Sequence, residues 1–438
     1  MKKTLTTLFA LALLCSTVSL AQWTYRGSFP NDNLRGTSGA HGLAVDPAGK
    51  IWIQFFGNSD SIFNGTSMVP CKAIYAFNQD GSPASFSPIR VITVGGVPDT
   101  LFGGAVDGRG LRADHQGNIL ASVQGKLYRI NYQTGAGMNK ITEPGSIGAV
   151  GVDNFGEIFV GRVVGGNPIK IYNASFTLLG NVTDTSVGFH RAFEASGDGN
   201  DVYWAGYTNH AIYRYHSDNG SFGPYAVGPN DTLLKGFDCE SMGWNPARTR
   251  LWASSGSKND RPNRWPDPSV VTNYSVNTWY AYDPVSNTVT DSITWNFTFS
   301  QDSINIRPRG IAFSNNGDTA YVGCFGGSTY PAVQKFARGP SSVRPDPNGV
   351  PNGFVLSQNY PNPFNPGTEI NFTITRAGLT TLVVYDMLGR EVATLVSENL
   401  TAGAYTATFD ASRLSSGTYM YTLTSGGNRI SKKMMLVK

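Results

Sequence analysis

Short apolar segments alternate with glycine-containing turns from residue 23 to about residue 340. The pattern is clearest at residues 44–53, where an apolar segment ends at Asp46 and an aromatic-containing segment begins at Ile51. The turn between them has Asp46 first, Pro47 second and Gly49 fourth. These are the residues that a type I turn prefers. We therefore predict a β-hairpin at this position.

The same hairpin pattern occurs six times, and a further strand pattern follows each hairpin. The turns begin at Asp46, Asp114, Asp153, Ser196, Asn245 and Ser314. The shorter intervals between them match the length of a propeller blade, about 40–45 residues with four strands. We predict an all-β fold, with a six-bladed β-propeller over residues 22–340 and seven blades as the alternative.

The longest intervals between repeats contain Phe56–Cys71 and Gly256–Asn277, which we predict to be loops. The sixth repeat is one strand short, and Trp23–Phe29 is predicted to supply its outer strand, because a propeller joined in this way has no exposed edge there. These hairpins resemble the six-bladed propellers of the NHL-repeat and gluconolactonase-like group. The resemblance implies the fold and says little about chemistry.

A different pattern begins after residue 340. Residues 341–353 contain three prolines and no apolar period, which predicts a linker. Residues 354–438 contain about seven short alternating segments, which predict a small β-sandwich. Within them stand YPNPFNP at 360–366, YDMLGREV at 385–392, SGTYMYTL at 416–423 and a basic-apolar last segment. In this order they resemble the type A sorting domain of type IX secretion.

That resemblance implies an immunoglobulin-like tail that the outer-membrane translocon reads and a sortase removes at the cell surface. The cargo is then released or linked to surface lipopolysaccharide. The alternative is an immunoglobulin-like module with a structural or adhesive role. The positions that match the sorting signal are Pro361, Asn362, Pro363, Gly389, Gly417, Tyr419, Lys432, Lys433 and Lys438.

The first 21 residues have the pattern of a secretory leader. Lys2 and Lys3 precede an apolar run that is too short to span a bilayer, and small residues precede Gln22. We predict a signal peptide over residues 1–21. The alternative, a lipoprotein anchored at Cys15, is disfavoured because Leu14 stands where a small residue is needed. No membrane span is predicted, and the mature protein is expected to be secreted or on the outer surface of a gram-negative bacterium.

Composition excludes several classes of protein. Hydrophobic residues make up 40% of the chain and charged residues only 15%, so a disordered charged protein is excluded. The net charge is +4 with no basic stripe, which disfavours nucleic acid as a partner. Without the predicted leader, three cysteines are left: Cys71, Cys239 and Cys324. Because three cysteines cannot all form pairs, either Cys239 pairs with Cys324 or all three are buried apolar residues. No zinc spacing is present, and no metal or cofactor is predicted.

Polar residues just before the first strand of the repeats should face one mouth of the central channel. Enzymes of the gluconolactonase-like group hold a metal there with Glu, Asn and Asp, and this chain has His41 where that Glu would be sought, so no catalytic residue is predicted. Arg and His with one Glu suit an anionic ligand such as a uronate or phosphate; alternatively, they bond backbone carbonyls around the channel. The predicted ligand-binding residues are His41, Arg109, His190, Arg191, Glu240 and Arg309.

Asp followed by Ser or Thr and an apolar residue recurs along the chain. These triplets resemble an O-glycosylation signal of bacteria that use type IX secretion. The alternative is that Asp-Ser/Thr begins strands after turns. The predicted acceptors are Ser61, Thr100, Thr232, Ser292, Ser303 and Thr319.

Three functions are compatible with these patterns. The favoured hypothesis is a secreted or cell-surface binding or structural propeller, with a glycan or a protein as partner. The second is a secreted enzyme that acts on a polysaccharide or lactone. The third is a subunit of an extracellular assembly. A convergent set of carboxylates or a metal at the channel mouth would favour the enzyme, and the sequence does not predict one.

Overall fold

The computed structural model describes residues 23–35, 39–102, 107–186, 188–206, 211–226, 231–255, 274–275, 277–296, 307–325, 331–338, 344–345, 353–376, 378–400, 402–411 and 414–438. Across these ranges the regular elements are β-strands, apart from one 3₁₀ turn at Gly220–Phe222. The predicted all-β fold is therefore confirmed. The predicted signal peptide and most of the predicted loop Gly256–Asn277 lie outside the described residues.

The strands fall into a longer N-terminal set and a shorter C-terminal set. The first set is β1 (Trp23–Ser28), β2 (Ala40–Val45), β3 (Ile51–Phe55), β4 (Asp60–Phe63), β5 (Met68–Cys71), β6 (Ile74–Phe77), β7 (Val91–Val94), β8 (Val97–Thr100), β9 (Gly108–Ala113), β10 (Ile119–Val123), β11 (Lys126–Ile130), β12 (Gly137–Thr142), β13 (Gly151–Val152), β14 (Ile158–Gly161), β15 (Ile169–Tyr172), β16 (Leu178–Thr183), β17 (His190–Ala195), β18 (Asp201–Gly206), β19 (Ala211–His216), β20 (Thr232–Leu233), β21 (Met242–Trp244), β22 (Leu251–Ser255), β23 (Thr278–Asp283), β24 (Thr288–Thr294), β25 (Arg307–Phe313), β26 (Thr319–Phe325) and β27 (Val333–Arg338). The second set is β28 (Arg344–Pro345), β29 (Val355–Leu356), β30 (Gly367–Ile374), β31 (Gly378–Tyr385), β32 (Glu391–Leu400), β33 (Gly403–Asp410), β34 (Gly417–Ser425) and β35 (Asn428–Leu436).

The six predicted hairpins are antiparallel strand pairs. They are β2–β3, β9–β10, β13–β14, β17–β18, β21–β22 and β25–β26. Each hairpin begins one sheet, and further strands extend it; in the first sheet this strand is β6, and in the last sheet the final strand is β1. Among the described residues these sheets have the orders β2-β3-β6, β9 to β12, β13 to β16, β17 to β20, β21 to β24, and β25-β26-β27-β1.

Asp46 shows how the sequence fixes these hairpins. Its backbone carbonyl accepts the N–H of Gly49 at 2.8 Å, and its Oδ1 accepts the N–H of Lys50 at 2.9 Å. Its Oδ2 accepts the indole N–H of Trp52 at 2.9 Å. Gly49 has φ of 79°, a conformation that glycine adopts without strain. One buried carboxylate therefore satisfies the turn and a core tryptophan together.

The first strands of these sheets lie side by side. β2 contacts both β9 and β25, β13 contacts β17, and β21 contacts β17 and β25. Glycines allow the close approach: a Cβ on Gly42 would lie 2.7 Å from the backbone nitrogen of Leu111, and one on Gly310 would lie 2.9 Å from the carbonyl oxygen of His41. These contacts link β9 to β2, β2 to β25, β25 to β21, β21 to β17 and β17 to β13.

The N-terminal strand β1 pairs antiparallel with β27, with Trp23 opposite Arg338. This confirms the prediction that the first strand supplies the outer strand of the last sheet. Trp23 packs on Trp252 and Phe313, its indole nitrogen donates to Asp291 at 3.0 Å, and the Arg338 guanidinium lies 4.7 Å from its ring centre. The two ends of this part of the chain therefore share one sheet and one core.

The prediction of a loop at Phe56–Cys71 is wrong, because the segment contains the hairpin β4–β5. The side chain of Asn64 makes this turn by accepting the N–H groups of Thr66 and Ser67, each at 2.9 Å. A second hairpin, β7–β8, follows the first sheet. Neither hairpin joins a larger sheet of the described residues.

The C-terminal strands form two antiparallel sheets in the orders β28-β33-β30-β29 and β32-β31-β34-β35. Their inward side chains bury one core, with Ile370 and Phe372 from one sheet and Leu382, Tyr421 and Leu423 from the other. This is the alternation that the sequence pattern predicted. The immunoglobulin-like topology stays a prediction. Within the predicted linker, Arg344 and Pro345 pair with β33.

Cys71, Cys239 and Cys324 are buried, and across the described ranges no disulfide joins Cys239 to Cys324. The pairing that the sequence left open is therefore not formed. Burial raises the pKa of Cys71 and raises that of Cys239 to about 12. Both thiols are protonated near neutral pH and behave as small apolar groups.

Candidate functional site

Five of the six residues predicted at the channel mouth converge in the structure. His41, Arg109, Arg191 and Arg309 lie near the beginnings of β2, β9, β17 and β25, and Glu240 lies two residues before β21. Because these strands lie side by side, their first residues meet at one end. We call His41, Arg109, Arg191, Glu240 and Arg309 the arginine cluster. The side chain of His190, the sixth residue, lies outside the described part.

Glu240 is at the centre of the arginine cluster. Its Oε2 accepts from Arg191 Nη1 at 3.0 Å and lies 3.0 Å from Arg309 Nε. Arg309 Nε also donates to His41 Nε2 at 2.9 Å. Glu240 and Arg309 are fully or almost fully buried, so this is a charge network in a low-dielectric environment.

Arg109 joins the cluster to its surroundings. Its Nη2 donates to Asp107 at 2.9 Å, and its Nε donates to the hydroxyl of Ser146 at 3.2 Å. Lys72 lies 3.8 Å from the same Asp107 carboxylate. Asp107 therefore holds two cations beside the arginine cluster.

Two phenylalanine rings flank these cations. The guanidinium of Arg109 lies 4.7 Å from the ring centre of Phe56, and that of Arg309 lies 5.0 Å from the ring centre of Phe325. The two ring centres are 5.6 Å apart. Cation–π contacts of this kind fix the guanidinium planes and leave fewer orientations open to them.

His41 is neutral in this network. Burial, followed by the charges of Arg309, Arg109 and Arg191, holds the pKa of His41 well below its ordinary value. Because Arg309 Nε donates to His41 Nε2, that nitrogen must be unprotonated. Burial also lowers the pKa of Arg309 to about 10, although Glu240 opposes the shift.

Because the pKa of His41 is lowered in the folded protein, we expect the free energy of unfolding to fall in acid. The unfolded chain protonates this imidazole near pH ~6.5, whereas the folded chain does so only at lower pH. Stability should fall as the pH drops below ~6.5, by at most about 1.4 kcal/mol per pH unit for one proton. His41→Gln should reduce the loss between pH 7 and pH 5, measured by urea unfolding. An identical pH dependence in variant and wild type would contradict this assignment.

Charged side chains of both signs surround the arginine cluster in the described ranges. The cations are Lys72, Arg109, Arg191, Arg307 and Arg309, and the carboxylates are Asp107, Asp238 and Glu240. The Nη2 atom of Arg309 is buried and has no hydrogen-bond partner within the described ranges. A buried guanidinium nitrogen without an acceptor is costly unless something else satisfies it.

The sequence did not predict Phe56, Lys72, Asp107 or Phe325 at this site. Phe56 and Phe325 stand where the second strands β3 and β26 end, and Lys72 precedes the third strand β6. In an antiparallel sheet the end of one strand lies beside the beginning of the next. Searching those ends as well as the beginnings of the first strands would have found the phenylalanines and Lys72.

A second charged group, also not predicted, lies at the opposite ends of the first strands. Arg112 Nε is 2.5 Å from Glu194 Oε1, and Arg248 donates to the carbonyl of Ala195 at 2.8 Å. Burial raises the pKa of Glu194 against the opposing effect of Arg112 and Arg248. These arginines hold backbone carbonyls of neighbouring strands, which is a structural role.

No group of three or more His, Cys, Asp or Glu side chains is placed to hold a metal ion in the described ranges. Across the same ranges, no helix is long and apolar enough to cross a membrane.

The predicted sorting residues lie along the last strand and at two turns. The 360–366 segment lies alongside β35. The side chain of Asn362 accepts the N–H of Met435 at 2.9 Å, and the N–H of Phe364 donates to the carbonyl of Met435 at 2.9 Å. Pro361 and Pro363 flank Asn362, and Phe364 is buried in the core. The motif therefore pairs with the edge of the C-terminal strand.

The remaining sorting residues lie at turns or strand ends, or on the last strand. Gly389 has φ of 78° in the turn between β31 and β32, and Gly417 begins β34. The hydroxyl of Tyr419 donates to the carbonyl of Ser415 at 2.8 Å. The basic residues are on or just after β35: Lys432, Lys433 and Lys438.

The predicted glycosylation acceptors lie on strands, apart from Ser303, which is outside the described residues. Ser61, Thr100, Thr232 and Thr319 are half-buried, and Ser292 is exposed. Several of the preceding aspartates form ion pairs, such as Asp60 with Arg90 at 2.7 Å and Asp231 with Arg214 at 2.6 Å. Ion pairing therefore explains why aspartate stands at those positions. Glycosylation of the neighbouring Ser and Thr residues stays a prediction.

Comparison with known proteins identifies the tail. Residues 358–438 match the family described as the secretion system C-terminal sorting domain. No curated protein matches the chain. One similar solved structure is a structural genomics protein of unknown function from Bacteroides thetaiotaomicron; it is 10% identical, covers 69% of this chain and 70% of its own, and has a TM-score of 0.44. The chain thus ends in a type IX sorting domain that directs export to the cell surface or the extracellular space.

Proposed function

We propose that the exported protein is a six-bladed β-propeller that binds an anionic ligand at the arginine cluster. Three features support the propeller: the six repeated hairpins, the side-by-side contacts among the first strands β9, β2, β25, β21, β17 and β13, and the outer strand that β1 supplies. In this architecture the ligand site lies at the mouth of the central channel. The sorting domain delivers the propeller, and we propose that it is removed at the surface.

The observation that carries the binding proposal is an unsatisfied guanidinium nitrogen in the arginine cluster. Arg309 Nη2 is buried within the cluster and has no acceptor among the described residues. A carboxylate or phosphate on a ligand supplies the missing acceptor. Guanidinium groups whose planes are fixed by Phe56 and Phe325 are already arranged for such a ligand.

We favour binding over hydrolysis because the central carboxylate is occupied. Glu240 accepts from Arg191 and lies in contact with Arg309, so it is held as a counter-ion. A general acid or base needs a carboxylate that can exchange a proton with the substrate. The contacts with Arg191 and Arg309 occupy the Glu240 carboxylate and oppose that role.

Calorimetric titration with glucuronate, and with glucose as the neutral analogue, tests the proposal. The protein should bind glucuronate and not glucose. Arg109→Gln should weaken binding about tenfold or more, because it removes a charged hydrogen bond to the ligand. Arg26, which is exposed on β1, provides the matched control: Arg26→Gln should bind as wild type does.

Two results would reject the anion site. One is equal binding of glucuronate and glucose. The other is unchanged glucuronate affinity in Arg109→Gln and in the double variant Arg109→Ala/Arg309→Ala, provided that circular dichroism shows both variants folded.

A further inference from the structure

A cleft of about 190 Å³ lies where the connection from β12 to β13 meets β14 and β15 of the third sheet. Its walls are apolar, formed by Pro144, Ile147, Val160 and Pro168. Its charged residues are Glu143, Arg162 and Lys170. The cleft therefore combines an apolar wall with a small number of placed charges, as binding sites for small molecules do.

The charges in the cleft leave one cation unmatched. Both carboxylate oxygens of Glu143 accept from Lys170 Nζ, at 2.8 and 2.9 Å, and Tyr172 donates its hydroxyl to the same carboxylate. Arg162 donates to the amide oxygen of Asn167 at 2.5 Å and has no carboxylate partner in the part of the chain that the structure describes. Its Nε is buried and has no hydrogen-bond partner there.

Gly145 makes room for the Arg162 guanidinium. A Cβ on Gly145 would lie 2.6 Å from Arg162 Nη2, and the φ of Gly145 is 79°. A side chain at this position would displace the guanidinium. The lack of a side chain on Gly145 therefore leaves space for the guanidinium at the cleft.

Ser146 connects the cleft to the arginine cluster. Its hydroxyl accepts from Arg109 Nε at 3.2 Å, and its carbonyl accepts from the N–H of Val163 at 2.9 Å. The next residue, Ile147, lines the cleft and pairs with Arg162 through an isolated β-bridge. One residue thus separates Arg109 from the cleft wall.

We propose that this cleft is a second subsite for the ligand of the arginine cluster, and that the ligand is an acidic oligosaccharide with at least two carboxylated units. The inference rests on the proposed function. One carboxylate binds the arginine cluster, the next binds Arg162, and the sugar ring between them lies against the apolar wall.

The apolar surfaces favour a saccharide over other polyanions. Pro144, Ile147, Val160 and Pro168 in the cleft, with Phe56 in the cluster, offer C–H and ring surfaces between the cations. Sugar rings have apolar faces that can desolvate against such walls. A polyphosphate chain has charges and no apolar part, so it would leave these walls unused.

The test is the dependence of affinity on ligand length. Galacturonate monomer, dimer and tetramer are titrated into wild type, Arg162→Gln and the control Arg26→Gln. In wild type the dimer and tetramer should bind about tenfold more tightly than the monomer. Arg162→Gln should lose this gain and keep the affinity for the monomer. Arg162→Lys, which retains the charge, should keep part of the gain.

The outcomes separate the subsite from the primary site. Equal affinity of wild type for monomer and tetramer, or an unchanged gain in Arg162→Gln, overturns the subsite and leaves the anion site standing. An equal loss for monomer and tetramer in Arg162→Gln also overturns it. If tripolyphosphate also binds about tenfold more tightly than the galacturonate monomer, the saccharide assignment is overturned. Absence of uronate binding at every length instead rejects the proposed function.

Discussion

A protein that lacks Val350–Lys438 should fold its N-terminal part normally and accumulate in the periplasm. The C-terminal strands bury their own core, and the hydrophobic clusters of residues 23–338 contain no side chain from the tail. The deletion therefore removes no packing from the sheets that carry the arginine cluster. It does remove the domain that the secretion machinery recognises.

Cell fractionation in a bacterium with a working type IX system measures this effect. Nearly all of the full-length protein should reach the surface or the medium, and nearly all of the truncated protein should stay in the periplasm and resist proteolysis there. Glu369→Gln, an exposed change in the tail outside the matched sorting residues, provides a control that should be exported. Normal surface display of the truncated protein would contradict the assignment of the tail.

Glu240→Gln should destabilise the fold by about 3–5 kcal/mol, because it leaves buried arginines without their central counter-ion. Arg191 and Arg309 both contact Glu240 Oε2, and Arg309 has no exposed surface. A uronate should restore part of the loss, since a ligand that binds the folded state stabilises it by mass action. All eight tryptophans lie between residues 23 and 295, so tryptophan fluorescence during urea unfolding reports on this part of the chain.

Asp218→Asn is the matched control for that experiment. It also removes one negative charge, but the side chain of Asp218 is 99% exposed. The control should change the free energy of unfolding by less than about 0.5 kcal/mol. A loss in Glu240→Gln no larger than that of the control would show that Glu240 is not the counter-ion of the arginine cluster.

The local elements were predictable because they depend on neighbours in sequence. Asp46, Asp114 and Asp153 begin turns whose hydrogen bonds close within four residues, so each hairpin is encoded by a short segment. The role of β1 was predictable for a related reason: a sheet that is one strand short needs a partner at its edge. In the tail, the alternation in β30 and β33 predicted which side chains enter the core.

The site was predictable only where the repeat itself carried it. Arg109 and Arg309 precede a glycine and an aliphatic residue in β9 and β25, as His41 does in β2, and the pattern brings all three to one end. Asp107, Lys72 and Ser146 lie in connections whose lengths differ from repeat to repeat, so no periodicity predicts where they lie. The ion pair of Arg112 with Glu194 joins separate sheets, and it depends on the spacing between sheets that only the structure supplies.

A crystal structure of the exported protein, grown with glucuronate, would show whether the arginine cluster binds an anion. We expect one glucuronate at the arginine cluster, with a carboxylate oxygen within about 2.7–3.2 Å of Arg309 Nη2 or of Arg109. Glucuronate bound only elsewhere, or none at the cluster at a saturating concentration, would contradict it.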